Sequence, residues 1–418
     1  MELKQKLSTK VCIVGAGPGG CATALKLSYL GVPCMLIDKA VFPRDKVCGD
    51  ALSSKVITLL NRLDPEILER FNDSLPQLDV WGISFVTPNG RALDIPFKPN
   101  YVRDQRKAPG YLCKRIHFDN FMISEVKRRE NIHLMEGVAM SNYEKCATGW
   151  QLRSEDGGLE VETNILIVAD GAHSKFARKI AGLEKINKHH AASVRAYYRG
   201  VTGMKQDNFI ELHFLKSITP GYFWIFPMPN GEANIGIGMR SDMVAKKKVN
   251  LRAVFNQVIE EHPEFKERFK QAESVGKLEG YGLPLGSKLR KISGDNYMIV
   301  GDAGHLIDPL TGEGIGHAFY SGFIAAEQAL TCIKEQQYDA TFMQAYDVRV
   351  KRVLGTEMRL SFQLQQLMQY APLVNFLSFV LASNKRFIEI LSRMYNDFEY
   401  RKQLINPLFW IRMLIKKR

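Results

Sequence analysis

An α/β fold is predicted for this chain: a doubly wound, mostly parallel sheet, interrupted by an inserted, mainly β domain and followed by a helical C-terminal region. Three observations predict it. A short apolar strand, a Gly-rich turn, a helix and a second strand follow one another between Lys10 and Asp38, the opening βαβ unit of such a sheet. A β-rich alternation fills Ala192 to Met239, with Val194, Ala196 and Tyr198, then Ala233, Ile235 and Ile237, set between small or polar residues. An apolar strand returns at Tyr297 to Val300, followed by a second Gly-rich turn and a helix opening near Ile315, so the first sheet closes late in the chain.

Taken in order, Lys10 to Val14 reads as a buried strand, Gly20 to Leu30 as a helix and Cys34 to Asp38 as the next strand. Trp81, Ile83 and Phe85 alternate before the turn Pro88-Asn89-Gly90, and Leu93, Ile95 and Phe97 follow it, the pattern of a hairpin. Ile116 to Arg129 has helical spacing, Glu160 to Ala169 is a strand ending at Asp170-Gly171, and Asn250 to Lys270 is a helical segment. The expected nucleotide-binding domain is therefore discontinuous, 1–74, 113–190 and 286–337. The inserted substrate domain takes 75–112 and 191–285, and 338–418 forms the helical C-terminal region.

With 418 residues and 45% apolar content, the chain has far more than one compact core needs, which excludes disorder and favours two domains sharing a cleft. Its 57 Lys and Arg against 44 Asp and Glu, a net +13, point to an anionic ligand or surface. The basic residues are scattered apart from Lys246-Lys247-Lys248 and the C-terminal end, and no nucleic-acid-binding motif is present, so nucleic acid is not an expected partner. Seven cysteines, odd in number and several in apolar segments, argue against a secreted disulfide framework. The N-terminus lacks the three-part design of a signal peptide, and a cytoplasmic location is expected. The long uncharged stretch from Leu360 to Asn384 is interrupted by Gln363, Gln365, Gln366, Gln369, Pro372 and Asn375, which makes it a poor membrane span. His189-His190 has no third ligand at fitting spacing; it reads as solvated loop, and no metal is expected.

The chemistry lies in three blocks. Gly15-Ala16-Gly17-Pro18-Gly19-Gly20 matches G-x-G-x-x-G between strand and helix: Gly15 allows the tight turn, Gly17 admits a pyrophosphate to the backbone, and Gly20 brings helix against strand. Asp38, at the end of the second strand, can accept hydrogen bonds from an adenosine ribose. The second block, Phe42 to Leu52, contains Cys48, Gly49 and Ala51, small residues that let backbone pass close to a planar ring. In the third, Asp302 at a strand end suits a ribityl hydroxyl, and Gly312 to Gly316 put free backbone amides at a helix start, where they would stabilise negative charge on a reduced flavin. Together the blocks point to one flavin dinucleotide, FAD, in a Rossmann-like FAD-binding domain.

These blocks resemble the flavoprotein group that includes para-hydroxybenzoate hydroxylase and, within it, the geranylgeranyl reductase family. Phe42 to Leu52 is similar to that family's F-P-R-x-K-x-C-G block, and Pro220-Gly221-Tyr222-Phe223-Trp224-Ile225-Phe226-Pro227 to its Y-x-W-x-F-P motif. The resemblance covers about residues 8 to 330. It implies that FAD is held by Gly20, Asp38, Cys48, Gly49, Ala51, Arg115, Asp302, Gly314 and Ile315. Asp170-Gly171 resembles the group's D-G turn.

The activity so implied is reduction of carbon–carbon double bonds in an isoprenoid or lipid chain, with Cys48, Tyr222 and Trp224 as candidate catalytic residues. Tyr222 and Trp224 share one side of a strand and offer flat apolar surface to a prenyl chain. NAD(P)H or a ferredoxin-like donor would supply electrons. Two alternatives stay open: a flavin monooxygenase acting on an aromatic or alkene substrate, because the same fold serves both, and an electron-relay flavoprotein docking on a partner or membrane. A halogenase fits less well, since Phe223 to Pro227 only partly resembles the W-x-W-x-I-P pattern. Residues 406–418 mix Leu408, Phe409, Trp410, Ile411, Leu414 and Ile415 with Arg412 and Lys416 to Arg418, suiting an interfacial helix on the inner face of a membrane.

Overall fold

The computed structural model describes residues 5–102 and 108–370, with scattered positions beyond. Gln5–Val14 carries the buried run Val11 to Val14, apolar on both faces, and so takes the interior of a sheet rather than an edge. It pairs in parallel with Cys34–Ile37 on one side and Leu159–Val168 on the other. Ile132–Met135 and Tyr297–Ile299 extend the parallel set outward. Three antiparallel strands, Met140–Lys145, Trp150–Ser154 and Ser293–Gly294, complete an eight-stranded sheet. Helix Pro18–Tyr29 lies against helix Ile315–Glu335, where Gly322 leaves room for Thr23. The late strand and its helix thus return to the first βαβ unit, as the sequence predicts.

The second sheet has seven strands in the order Glu273–Pro284, His190–Arg199, Glu232–Arg240, Gly221–Pro227, Ile210–His213, Gly82–Val86, Ala92–Pro96. Every pairing is antiparallel except Ile210–His213 with Gly82–Val86. Gly82–Val86 and Ala92–Pro96 are the expected hairpin, and it has joined strands more than a hundred residues later. Period-two alternation divides the faces. Val194, Phe223, Ile225, Ile235 and Ile237 pack under the helices Leu251–Glu261 and Pro263–Arg268. Leu212, Trp224 and Phe226 form a separate apolar cluster on the other face, with Val80, Ile83 and Phe97.

Two expectations change. The helical segment Asn250 to Lys270 is two helices broken at His262, because Pro263 lacks the amide that would continue the first and instead opens the second at its first turn. His189-His190 is not solvated loop: it is half-buried at the start of a strand, with Nδ1 of each histidine paired to Ser287 Oγ at 2.8 Å and Ser241 Oγ at 2.9 Å. Burial pushes His190 down to about 4, which keeps it neutral at physiological pH. Of the C-terminal region, Ala340–Leu367 is one helix; 406–418, apart from Leu408, lies outside the described residues.

Candidate functional site

Between the two sheets lies a cavity of about 530 Å³. Gly15 stands at one end of it with φ +102, a conformation open to glycine, and a Cβ there would come within 2.4 Å of the Ala169 carbonyl oxygen. Gly17, with φ −70, has nothing nearer to a would-be Cβ than Arg44 at 3.8 Å, so its face toward the cavity is open. Asp38 uses each oxygen once, Oδ2 accepting from the Ala16 amide at 2.6 Å and Oδ1 from Ala40 at 2.8 Å. A carboxylate has further lone pairs, which leaves it able to accept from a ribose as well.

Beside this turn two arginines share one carboxylate. Arg115 grips Asp119 through Nε and an Nη, both at 2.7 Å, and Arg44 bonds the same group. Against the cost of burial, Arg115 and Arg44 hold Asp119 below the usual carboxylate range. The triad carries one surplus positive charge at the Gly17 end, where an anion would approach. Further along, Lys46 Nζ meets Asp302 Oδ2 at 3.0 Å and lies 5.2 Å from the Tyr281 ring centre. Burial pulls the ammonium down, yet Asp302 holds it above its ordinary value.

The turn before helix Ile315–Glu335 is less open than its glycines suggest. The Gly312 amide donates to the Asp308 carbonyl at 3.1 Å and Glu313 N to Thr311 Oγ1 at 3.3 Å, so the free amides expected here begin at Gly314. Glu313 anchors the turn: it accepts from Ser53 and pairs with Lys55 Nζ at 3.0 Å. Lys55 also bonds Glu357 at 2.6 Å and His317 Nε2 at 3.1 Å. His317 Nδ1 faces the Leu306 carbonyl at 2.7 Å, which can only accept; Nδ1 therefore carries the proton and Nε2 receives one from Lys55. Glu313, His317 and Glu357 are close enough to hold a metal ion, but the ammonium already lies within hydrogen-bonding distance of all three.

The opposite wall comes from the second sheet. Trp224, Gly236 and Arg195 lie side by side across three strands, as do Tyr222, Gly238 and Ser193. Gly236 has no side chain because the Trp224 ring occupies its place: a Cβ would fall 2.0 Å from that ring. The indole N–H donates to Asn234 Oδ1 at 2.9 Å, and Asn234 Nδ2 donates to Asp50 and to the Cys48 carbonyl, each at 2.8 Å. Tyr197 Oη donates to Asp50 at 2.5 Å. The wall is thereby fastened to the loop that carries Cys48.

The FAD-binding domain family matches residues 8–353, with the glycine turn, Asp38 and the Asp302 turn all inside the match. The chain belongs to this family. A digeranylgeranylglycerophospholipid reductase of Methanopyrus kandleri is 26% identical over 351 residues, 82% of this chain and 83% of its own length. A menaquinone reductase of Mycobacterium tuberculosis is 29% identical over 330 residues, 77% and 76%. A geranylgeranyl bacteriochlorophyll reductase-like protein from Thermoplasma acidophilum superposes with a TM-score of 0.80 at 21% identity, over 96% of this chain and all of its own, and at that identity it bears on fold alone.

For a member of the FAD-binding domain family, the donor set fits the cofactor: an open glycine face, surplus positive charge beside it, and a carboxylate with acceptor capacity to spare. Asp170 Oδ1 adds a buried acceptor with no partner among the described residues. Of the residues expected at the site, Gly15, Gly17, Asp38, Cys48, Gly49, Ala51, Arg115, Asp302, Gly314, Ile315, Tyr222 and Trp224 all line the one cavity. Gly20 does not; its Cβ would sit 1.8 Å from the Gly15 carbonyl oxygen, so it serves the turn and not the lining. Sequence reasoning missed Arg44, Lys46, Asn234 and Gln365. The first two lay inside a motif already singled out, whereas Asn234 meets Asp50 across 184 positions with no local signal.

Proposed function

We propose that this chain is an FAD-dependent oxidoreductase that reduces carbon–carbon double bonds of an isoprenoid or other lipid chain. One observation carries the reading: the glycine turn and its carboxylates share a single cavity with an apolar wall of Ile83, Leu212, Phe214, Trp224 and Phe226. Both relatives are named for lipids, a phospholipid and a quinone, which supports a lipid substrate here. We take 1–74, 113–190 and 286–337 as the cofactor-binding unit and 75–112 with 191–285 as the substrate unit.

Bound and reduced, FAD supplies the hydride. Gly15 and Gly17 would admit its phosphates, Arg44 with Arg115 would balance their charge, and Asp38 would take the ribose. An unactivated alkene offers no oxyanion to stabilise, so what the chain adds is position, dryness and a proton. Tyr222 and Trp224, ring centres 6.0 Å apart, would hold the hydrocarbon against the cofactor and exclude water. Burial pushes the Tyr222 hydroxyl up, so it keeps its proton at physiological pH, and the Cys48 side chain lies on the same cavity wall. As reductant we take NAD(P)H or a ferredoxin-like donor, told apart by whether NADPH alone bleaches the flavin under argon. Peripheral membrane contact through 406–418 on the cytoplasmic side belongs to the same proposal; among the described residues no helix is long and apolar enough to cross a membrane.

The test is anaerobic. Holoprotein reduced with one equivalent of dithionite is mixed under argon with a geranylgeranyl lipid, and return of the oxidised flavin absorbance is followed. Lipid-dependent reoxidation without oxygen is expected; reoxidation only when air is admitted, with oxygen entering the lipid, would replace this reading with the monooxygenase.

A further inference from the structure

The apolar end of the cavity contains a polar residue that the function above does not use. Helix Ala340–Leu367 brings Gln365 to the cavity wall, and Met368, one turn on, packs against the cluster containing Trp224 and Phe226. Both residues lie beyond the matched family region, which ends at 353, so this wall is supplied by the C-terminal region.

Hydrogen-bond accounting at this end is one-sided. Trp224 Nε1 donates to Asn234, Tyr222 Oη donates to the Thr311 carbonyl at 2.5 Å, and Gln365 Nε2 donates to the Pro309 carbonyl. These donors are committed. A carbonyl only accepts, so the Pro309 contact fixes the orientation of the Gln365 amide. Its Oε1 is left buried and without a partner among the described residues, although the residue is only 7% exposed. Asp308 repeats the pattern: Oδ1 accepts from the Leu310 and Thr311 amides at 2.9 and 2.8 Å, while Oδ2 is buried without a partner among the described residues. Asp308 also lines the cavity.

We propose that Gln365, assisted by Asp308, selects a lipid that carries a hydroxyl: the substrate's O–H donates to the Gln365 carbonyl oxygen while its hydrocarbon lies along the Trp224 wall. Quinone, ether and ester oxygens only accept and leave Oε1 empty, and a diphosphate would also meet the Asp308 carboxylate. Such a pocket discriminates by the penalty for an unmade buried hydrogen bond. The inference rests on the lipid-reductase reading for the identity of the cavity's occupant, but it concerns binding and is read without turnover.

An equimolar mixture of geranylgeraniol and its methyl ether, in micelles, is offered to the oxidised holoprotein, and the lipids that co-elute with it are quantified by mass spectrometry. The alcohol should exceed the ether by on the order of tenfold. Gln365→Met, of similar volume but without the acceptor, should bring the ratio near one while bound lipid persists. Equal occupancy in the wild type, or no lipid bound, overturns the proposal irrespective of how the variant folds; an unchanged ratio in folded Gln365→Met overturns the assignment to Gln365. A tenfold preference without lipid-dependent flavin reoxidation would sink the reductase reading and leave this one standing.

Discussion

Burial sets the chemistry of Asp50. Desolvation pushes its carboxyl up to about 6 despite the hydrogen bonds from Tyr197 and Asn234 that favour the anion. The unfolded chain releases this proton near its ordinary value of 3.8, so between those two values the folded state holds a proton that the unfolded state has lost. The stabilisation is complete below about pH 4 and falls away as pH rises through 6, at about 1.4 kcal/mol per pKa unit. Asp170, also pushed up to about 6 by burial, contributes in the same direction. Asp50→Asn should therefore be less stable overall, having lost an acceptor, yet show a flatter decline between pH 4 and 6 in urea melts. A slope equal to wild type would place this carboxyl elsewhere in the titration. Lys55 makes a separate prediction. Lys55→Met leaves Glu313 and Glu357, both half-buried, without their shared cation and should cost up to roughly 3 kcal/mol. Lys6→Ala, removing a pair whose lysine is 72% exposed, should cost under about 1 kcal/mol in the same melts.

At the scale of elements, the glycine turn separates two roles that its motif merges. Gly17→Ala is tolerated sterically, with Arg44 the nearest neighbour at 3.8 Å, and should give folded protein with a lowered flavin-to-protein ratio. Gly20→Ala would place Cβ 1.8 Å from backbone and should lower the yield of folded chain itself, seen as loss of soluble protein. On the second sheet, Gly236→Ala displaces Trp224 and should leave flavin content intact while slowing lipid-dependent reoxidation on the order of tenfold. The turn was legible because its parts lie within a few residues of one another and each glycine answers a local steric demand. The hairpin at Gly82–Val86 was legible for the same reason, but the partner it joins, Ile210–His213, was not. Lys46 and Asp302 pair across 256 positions, and neither residue's neighbourhood in sequence announces the other. His189-His190 misled because its burial is supplied by residues near 241 and 287. The break at His262 is the opposite case: its cause, Pro263, is local and stands in the sequence itself.

Across the whole molecule, two sheets with different patterning meet at one cavity. The parallel sheet presents strand ends, a glycine turn and carboxylates; the antiparallel sheet presents an apolar face fastened to the Cys48 loop through Asn234. The architecture could be read in advance because dinucleotide binding requires small residues at fixed spacing, and twelve of the thirteen residues expected at the site line this one cavity. The far wall could not, since Gln365 and Met368 owe their place to the packing of a long helix and not to any motif. On the proposed reading, this shared cavity brings a reduced flavin to the double bond of a lipid. That reading is tested most directly by the mass of the lipid after a single anaerobic turnover with one equivalent of reduced holoprotein. A gain of two hydrogens at one double bond per flavin reoxidised is expected; an unchanged lipid, or one that has gained oxygen once air is admitted, would overturn the reductase reading.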